Sequence, residues 1–330
     1  MGVAQEMEYP EIANKLMTPE EAVKRYIKNR SQIALGGFTI NRNPMGIVYE
    51  IIRQKVKDLH IVCHSNGQAL DVLIGAGCVK RVEVAYAGNG RFAPTCIRFR
   101  RAVENREIEY EDYSNYQMSL RFLAGALGVP FIPTRSGLGT DLVTSYGFPP
   151  EIRKERKMSS EKFVMMQNPF YGKEDKVLLL PPLNPDVALI HAQYVGEDGT
   201  VRIKGLKFAD LEQAKSADIV IVSCEEIVPR SFIRTDPDQN SLPPFLVDGI
   251  VKLPMGAHPT ACPYFYDYDV SHLNLYKKVV KDNQQFQEYL QEWVLGVANH
   301  EEYLDKIGRD ALLKIKASPV LGYAPGLDRR

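Results

Sequence analysis

The sequence predicts an α/β fold: an open, mostly parallel sheet with helices on both faces and a long helical C-terminus. Three observations carry this. Short, continuously apolar runs alternate with amphipathic ones through residues 1–147, as in parallel strands covered on both faces and joined by crossover helices. Glycine-rich turns stand at several strand ends, where such sheets gather ligands. Near the end of the chain Phe286, Leu290, Trp293 and Val294 fall at i, i+4, i+7 and i+8, one buried helix face.

The elements follow in order. Thr18-Pro19-Glu20-Glu21 opens the first helix: Thr18 caps it, Pro19 suits the first turn and Glu21 completes a capping box. QIALGG is a strand and PMGIVYEIIRQ the helix after it. DLHIVCH and ALDVLIGAG repeat the pair, the helix stopping at Gly75 or Gly77. RVEVAYAGNG with CIRFRRAVEN makes a third pair. EIEYEDY leads to a helix opened by Ser114, with Gln117 in the capping-box place, and VPFIPT is a fifth strand. Residues 148–175, charged and marked by prolines, read as a surface excursion within one domain spanning 1–330. Strands resume at KVLLL, DVALIHA, ADIVIVSC and FLVDGIVKL, with Asp198-Gly199 marking a tight turn.

Composition narrows the partners. Lys+Arg and Asp+Glu both total 41, so nothing electrostatic points to nucleic acid or an anionic membrane. No apolar run approaches a bilayer span. The five cysteines are scattered without a CxxC, which suits a reducing cytoplasm and neither a disulfide scaffold nor a zinc knuckle. The N-terminus is polar, and Met1-Gly2 is followed at position 6 by Glu6, which does not fit a myristoylation signal. A cytoplasmic protein is expected.

Four turns are candidates for binding. Gly36-Gly37 ends the first strand; bare backbone there lets a ligand approach and offers N–H donors, or simply makes a tight exit. His64-Ser65-Asn66-Gly67 puts polar groups at the second strand end, with no Asp or Cys nearby in sequence to complete a nucleophilic relay. Gly88-Asn89-Gly90-Arg91-Phe92-Ala93 fits the outline of a dinucleotide fingerprint, with Glu107 and Glu109 about twenty residues on. It lies in the third βα unit rather than the first, which weakens a dinucleotide-binding oxidoreductase as the competing class. Ser136-Gly137-Leu138-Gly139-Thr140, preceded by Arg135, has two glycines and two hydroxyls that suit an anion, an oxyanion or a plain surface loop. Cys224-Glu225-Glu226 offers paired carboxylates, more simply read as acids in a helix's first turn. No His, Asp and Glu spacing resembles a metal site.

Five stretches then carry a resemblance: IALGGFTINRNP, EDYSNYQMSLRFLAGALGVPFIPTRSG, DVALIHAQYVGEDGTVRI, IVSCEEIV and GAHPTACPYFYDYD. Together, in this order, they resemble the alpha-type subunits of class I CoA-transferases, and within them the glutaconate CoA-transferase branch. The resemblance implies a CoA-transferase-like α/β fold and a two-subunit enzyme moving CoA between an acyl-CoA and a (di)carboxylic acid such as glutaconate. It places the nucleophilic glutamate in a Ser-Glu-Asn-Gly stretch of a beta subunit. Ser65-Asn66-Gly67 here lacks that glutamate, so no catalytic residue is expected on this chain. No cofactor is implied beyond the CoA thioester as substrate, and the assembly is a heterotetramer or larger.

On this resemblance the substrate contacts are Gly36, Gly37, Phe38, Thr39 and Arg42, then Ser65, Asn66, Gly67 and Asn89, then Ser136, Gly137, Gly139 and Thr140. Phe38 would help dry the site, Thr39 and Asn41 would meet substrate, and Arg42 would grip the far carboxylate of a diacid. A steroid ring-opening CoA-ester hydrolase branch also has a TRSGLGT-like loop, but carries a glutamate where this chain has Asn115. A decarboxylase shares the same fold, so the fold alone leaves the reaction open.

Overall fold

The computed structural model describes residues 9–144, 147–172 and 174–327; the N-terminal reading of residues 1–8 lies outside them. The capping box forms as the sequence dictates. Glu21 N–H donates to Thr18 Oγ1 at 3.1 Å and Thr18 N–H to the Glu21 carboxylate at 2.8 Å, which starts α1 (Pro19–Tyr26). Three βα units follow: β1 (Gln32–Leu35) with α2 (Met45–Arg53), β2 (Leu59–Asn66) with α3 (Gln68–Gly75), and β3 (Val79–Ala87) with α4 (Ile97–Glu104). β4 (Glu109–Asp112) then precedes α5 (Asn115–Leu127), which opens on the Ser114 and Gln117 capping box and stops at Gly128 with φ +67°.

The next segment departs from expectation. β5 (Ile132–Thr134) does not extend the parallel sheet. It pairs antiparallel with β7 (Lys176–Leu180), which also pairs with β6 (Val164–Gln167), in a separate three-stranded sheet. The surface excursion therefore contributes a strand of its own.

The main sheet has nine strands among the described residues. β8 (Val187–Gly196) lies beside β1, with Ala34 against Ala188. It turns at Gly199 (φ +85°) into antiparallel β9 (Val201–Arg202), as the Asp-Gly signal predicts. After α6 (Asp210–Ser216), β10 (Ile219–Val228) pairs with β8 and β12 (Gly249–Lys252) with β10, both parallel, while β11 (Asn240–Leu242) pairs with β9. The parallel order is therefore β4-β3-β2-β1-β8-β10-β12. The chain winds outward from β1, then returns and winds the other way from β8. The strand order reverses between these two, and open α/β sheets bind ligands at the carboxyl ends of strands at such a point.

Both faces are covered. Ile33, Leu35, Ile61 and Val82 face one side and pack with Met45, Val48 and Leu73 of the helices. The alternate residues Ala34, Val62 and Ala188 face the other, under Met118 and Phe122 of α5. The small alanines let the helix sit close. Phe286, Leu290 and Val294 are buried as the period requires, but Gln291–Leu295 winds as a π-helical turn, and Trp293 is only partly buried. A π-turn spreads more residues over one turn, so a strict 3.6-residue pattern slips there.

Candidate active site at the sheet switch point

The Gly36-Gly37 turn leaves β1 at the switch point, and packing within the chain explains its glycines. A Cβ on Gly36 would come within 2.8 Å of Asp210 Oδ1, Ile190 Cδ1 and Leu189 O. Gly37 has φ +79°. Gly36 N–H donates to Leu189 O at 2.9 Å and Gly37 N–H to Asp210 Oδ1 at 2.7 Å, so these amides bind protein rather than a ligand. Thr39 (φ +48°) and Arg42 (φ +50°) hold left-handed backbone that side-chain-bearing residues rarely adopt, so the turn is strained and must be held from outside.

Arg42 does the holding, which corrects its expected role. Its guanidinium is 1% exposed and pairs with Asp210 Oδ2. It also donates to Leu206 O at 2.7 Å and to His191 O at 3.2 Å. A buried guanidinium committed to one carboxylate and two carbonyls has no fork left for a substrate diacid. Asp210, the first residue of α6, is the fulcrum: one oxygen takes Gly37 N–H and the other takes Arg42.

The second and third turns lock onto the first. Asn66 Nδ2 donates to Gly36 O at 3.1 Å, Thr39 N–H to Ser65 O at 3.3 Å, and Gly88 N–H to Asn66 O at 3.0 Å. Gly67 must be bare, since a Cβ would meet Gly88 O at 2.5 Å and Thr39 O at 2.7 Å. Asn89 is buried and gives Nδ2 to Gln68 Oε1 at 2.8 Å. Thus the Gly88–Ala93 stretch is part of the wall, closed by Asn89 N–H to Ala93 O, and Glu109 is paired with Arg81 rather than placed for a ribose. His64 is half-buried with its ring 5.8 Å from Phe38, and desolvation lowers its pKa below the ordinary value.

The Ser136–Thr140 loop reaches this region by a route other than the expected one. It does not leave a strand of the parallel sheet. Its anchor is α5, where Gln117 Nε2 donates to Ser136 O at 3.0 Å, next to Asn115, whose Oδ1 accepts from Ser65 Oγ at 2.8 Å. Gly137 (φ +94°) and Gly139 (φ +75°) both take left-handed backbone, and Thr140 Oγ1 donates to Gly137 O at 2.7 Å. Arg135 is paired with Asp175 on the surface. From Ser136 a groove of about 690 Å³ runs outward between Tyr116, Phe131, Met166 and Phe170.

Glu225 and Glu226 lie within β10, not in a helix turn. Glu225 is buried and fully bonded: it takes His191 Nε2 at 2.7 Å, Tyr266 Oη at 2.6 Å and Met255 N–H at 2.7 Å. His191 Nδ1 meets Ser223 Oγ at 2.9 Å. Ligand-type atoms of His191, Glu225 and Cys262 come within 4.8 Å of one another. The carboxylate and imidazole are already spent on each other and on neighbours, and burial raises the Cys262 thiol well above its ordinary pKa, away from the thiolate a metal needs. This cluster reads as a buried brace behind Arg42.

The first three turns thus lock together at the carboxyl ends of β1, β2 and β3, with the carboxylates of Asp210 and Glu225 both held by internal bonds. A family model described as Coenzyme A transferase matches residues 16–253. The chain belongs to the coenzyme A transferase family. It is 41% identical over 311 residues to the alpha (A-type) subunit of glutaconate CoA-transferase from Acidaminococcus fermentans, covering 94% of this chain and 97% of that one. The crystal structure of glutaconate coenzyme A-transferase from that organism superposes with a TM-score of 0.91 at 40% identity, covering 95% of this chain and 98% of the other. The corresponding subunit of 3-oxoadipate CoA-transferase from Pseudomonas knackmussii is 30% identical over 296 residues, 89% of this chain and 98% of the relative. Aligned over most of its length with two such subunits, this chain is the alpha part of a CoA-transferase.

Three residues of this CoA-transferase chain stand at the site without a local motif that places them there. Asp210 and His191 are distant in sequence from the turn they support, and only the Asp at the start of an amphipathic run hints at either. Phe208 stacks on Phe38 with ring centroids 4.0 Å apart and planes 9° apart. No motif announces it. No helix among the described residues is long and apolar enough to cross a membrane.

Proposed function

We propose that this chain is one half of a two-subunit enzyme that transfers CoA between an acyl-CoA and a short (di)carboxylic acid of the glutaconate type. The partner is a beta subunit bearing the Ser-Glu-Asn-Gly glutamate. One observation carries the reading: the carboxylates built into the switch point, Asp210 and Glu225, are both saturated by internal bonds. The chain supplies the wall of a thioester site and leaves the attacking carboxylate to another chain.

In this scheme the partner's glutamate attacks the thioester carbonyl, and acyl and CoA groups exchange through covalent intermediates. The oxyanion that forms needs donors and a dry site. The side-chain amide of Asn115, the hydroxyl of Ser136 and the aromatic surface of Phe38 would face the partner subunit, while the buried Ser65 hydroxyl is already given to Asn115 Oδ1. Gly36 and Gly37 keep the wall in place rather than touching the oxyanion. On the resemblance to the hydrolase branch, Asn115 stands where that branch would carry a glutamate and has no carboxylate to activate water, which favours transfer over hydrolysis. The CoA thioester is substrate, and the scheme calls for no further cofactor.

Co-expression with a beta-type chain from the same genome tests this. The purified pair should exchange labelled CoA between acids with ping-pong kinetics, and a panel of acetate, glutaconate and 3-oxoadipate ranks the acceptors. Product formation that needs no acceptor acid would turn the assignment to a hydrolase or decarboxylase.

A further inference from the structure

We propose that Phe208 is a specificity-determining wall of the acyl pocket, where with Phe38 it holds the acid's carbon chain and keeps water from the thioester. This deepens the CoA-transferase reading above and rests on it. Phe208 has φ +47°, a conformation that a bulky residue adopts only under constraint. The constraint is visible. Two residues earlier Leu206 O takes a hydrogen bond from Arg42 Nη2, and two residues later Asp210 holds both Arg42 and Gly37 N–H. The buried ion pair that fixes the glycine turn therefore fixes this loop as well.

The strained ring is not used for core packing. Phe208 is 37% exposed and lies flat against Phe38, itself only partly buried, at the carboxyl end of β1. A hydrophobic stack left in the open at a topological switch point, at the cost of backbone strain, is an arrangement that function explains better than stability does. The stack also indicates what it meets. Arg42, bonded to Leu206 O and Asp210 on either side of Phe208, is sealed in, so the two stacked rings present carbon and the guanidinium is not offered to a ligand. The stack suits the short carbon spacer of an acyl group, while the carboxylate or thioester end falls toward the exposed side-chain amide of Asn115, which the buried Ser65 hydroxyl holds in place.

The test uses the complex with its beta-type partner and two variants, Phe208→Gly and Phe208→Leu. Glycine accepts φ > 0, so Phe208→Gly relieves strain and leaves the melting temperature unchanged or higher. Loss of the wall lowers kcat/KM for acyl transfer by roughly 10- to 100-fold, chiefly through KM for the acid, as expected for lost apolar pocket contacts. The fraction of acyl-CoA hydrolysed per transfer rises, and Phe208→Leu recovers part of both losses. Wild-type kcat/KM and an unchanged hydrolysis fraction in Phe208→Gly overturn the proposal. So does a variant inactive only because the pair no longer assembles, which makes the ring an assembly contact. A wild-type pair that transfers no CoA instead refutes the underlying functional reading, and the variants are not needed to see it.

Discussion

Replacing Arg42 with methionine separates two roles that the sequence alone leaves together, a grip on substrate and a brace for the glycine turn. In the structure the change removes the cation from a pair whose side chains are 1% and 0% exposed. Asp210 would keep Gly37 N–H and lose its counter-charge. Breaking one partner of a buried pair costs about 3–5 kcal/mol. At about 2 °C per kcal/mol for a chain of this length, the melting temperature should fall by roughly 6–10 °C. Activity of the assembled enzyme should fall for monocarboxylic and dicarboxylic acids alike, because the whole turn loosens. Adding Asp210→Asn removes the stranded charge and should recover about 1–3 kcal/mol of the loss, a coupling that a double-mutant cycle reads directly. Thermal melts followed by circular dichroism, with kcat/KM for both acid classes, decide the matter. An unchanged melting temperature together with a loss confined to diacids would refute the brace and put the guanidinium on substrate.

Three further outcomes follow from the same geometry. Gly137→Val should lower turnover of the assembled pair far more than Gly139→Ala, because a Cβ on Gly137 runs into Gln117 Nε2 whereas Gly139 faces open space, and both activities can be compared at matched melting temperature. Gly36→Ala should destabilise the chain by about 1–3 kcal/mol through overpacking against Asp210 and Leu189, read by urea unfolding. Burial lowers the pKa of His300 from 6.5 to about 4, so above 6.5 both folded and unfolded chains hold it neutral and stability is full. As pH falls from 6.5 toward 4 the unfolded chain takes the proton first, and roughly 3 kcal/mol is lost, complete below the folded value. Asp71, raised by burial to about 6, works in the opposite sense, so the clean readout is the difference between wild type and His300→Asn, whose stability should fall less steeply over that window.

Much of the fold is legible in the sequence because its signals are local. The capping residues at Thr18 and Ser114 bond within three residues of themselves, and both caps form. The alternation of apolar strands and amphipathic helices specifies the parallel sheet, and CoA-transferase membership follows from motifs in order along the chain. The departures come from contacts that no local pattern encodes. VPFIPT has the composition of a strand in either kind of sheet, and its true partner, β7, lies beyond the excursion. Glu225 looks like a helix-start acid because the sequence does not show His191 and Tyr266 waiting for it. Arg42 suits a substrate carboxylate on sequence alone because its real partner, Asp210, is 168 residues away. The glycines stand out for the right conformational reason, but their amides hold the protein together. Phe208 stays invisible because its strain is a property of backbone angle.

In the proposed function, this chain forms the wall of a CoA-transferase site and takes its nucleophile from a partner chain. Acyl exchange by the purified chain alone, set beside exchange by the same chain mixed with its beta-type partner, tests that claim most directly. The expected result is no exchange above background from the chain alone, full exchange from the pair, and loss of exchange when the partner's Ser-Glu-Asn-Gly glutamate becomes alanine. Robust exchange between acetyl-CoA and glutaconate by the isolated chain would contradict it.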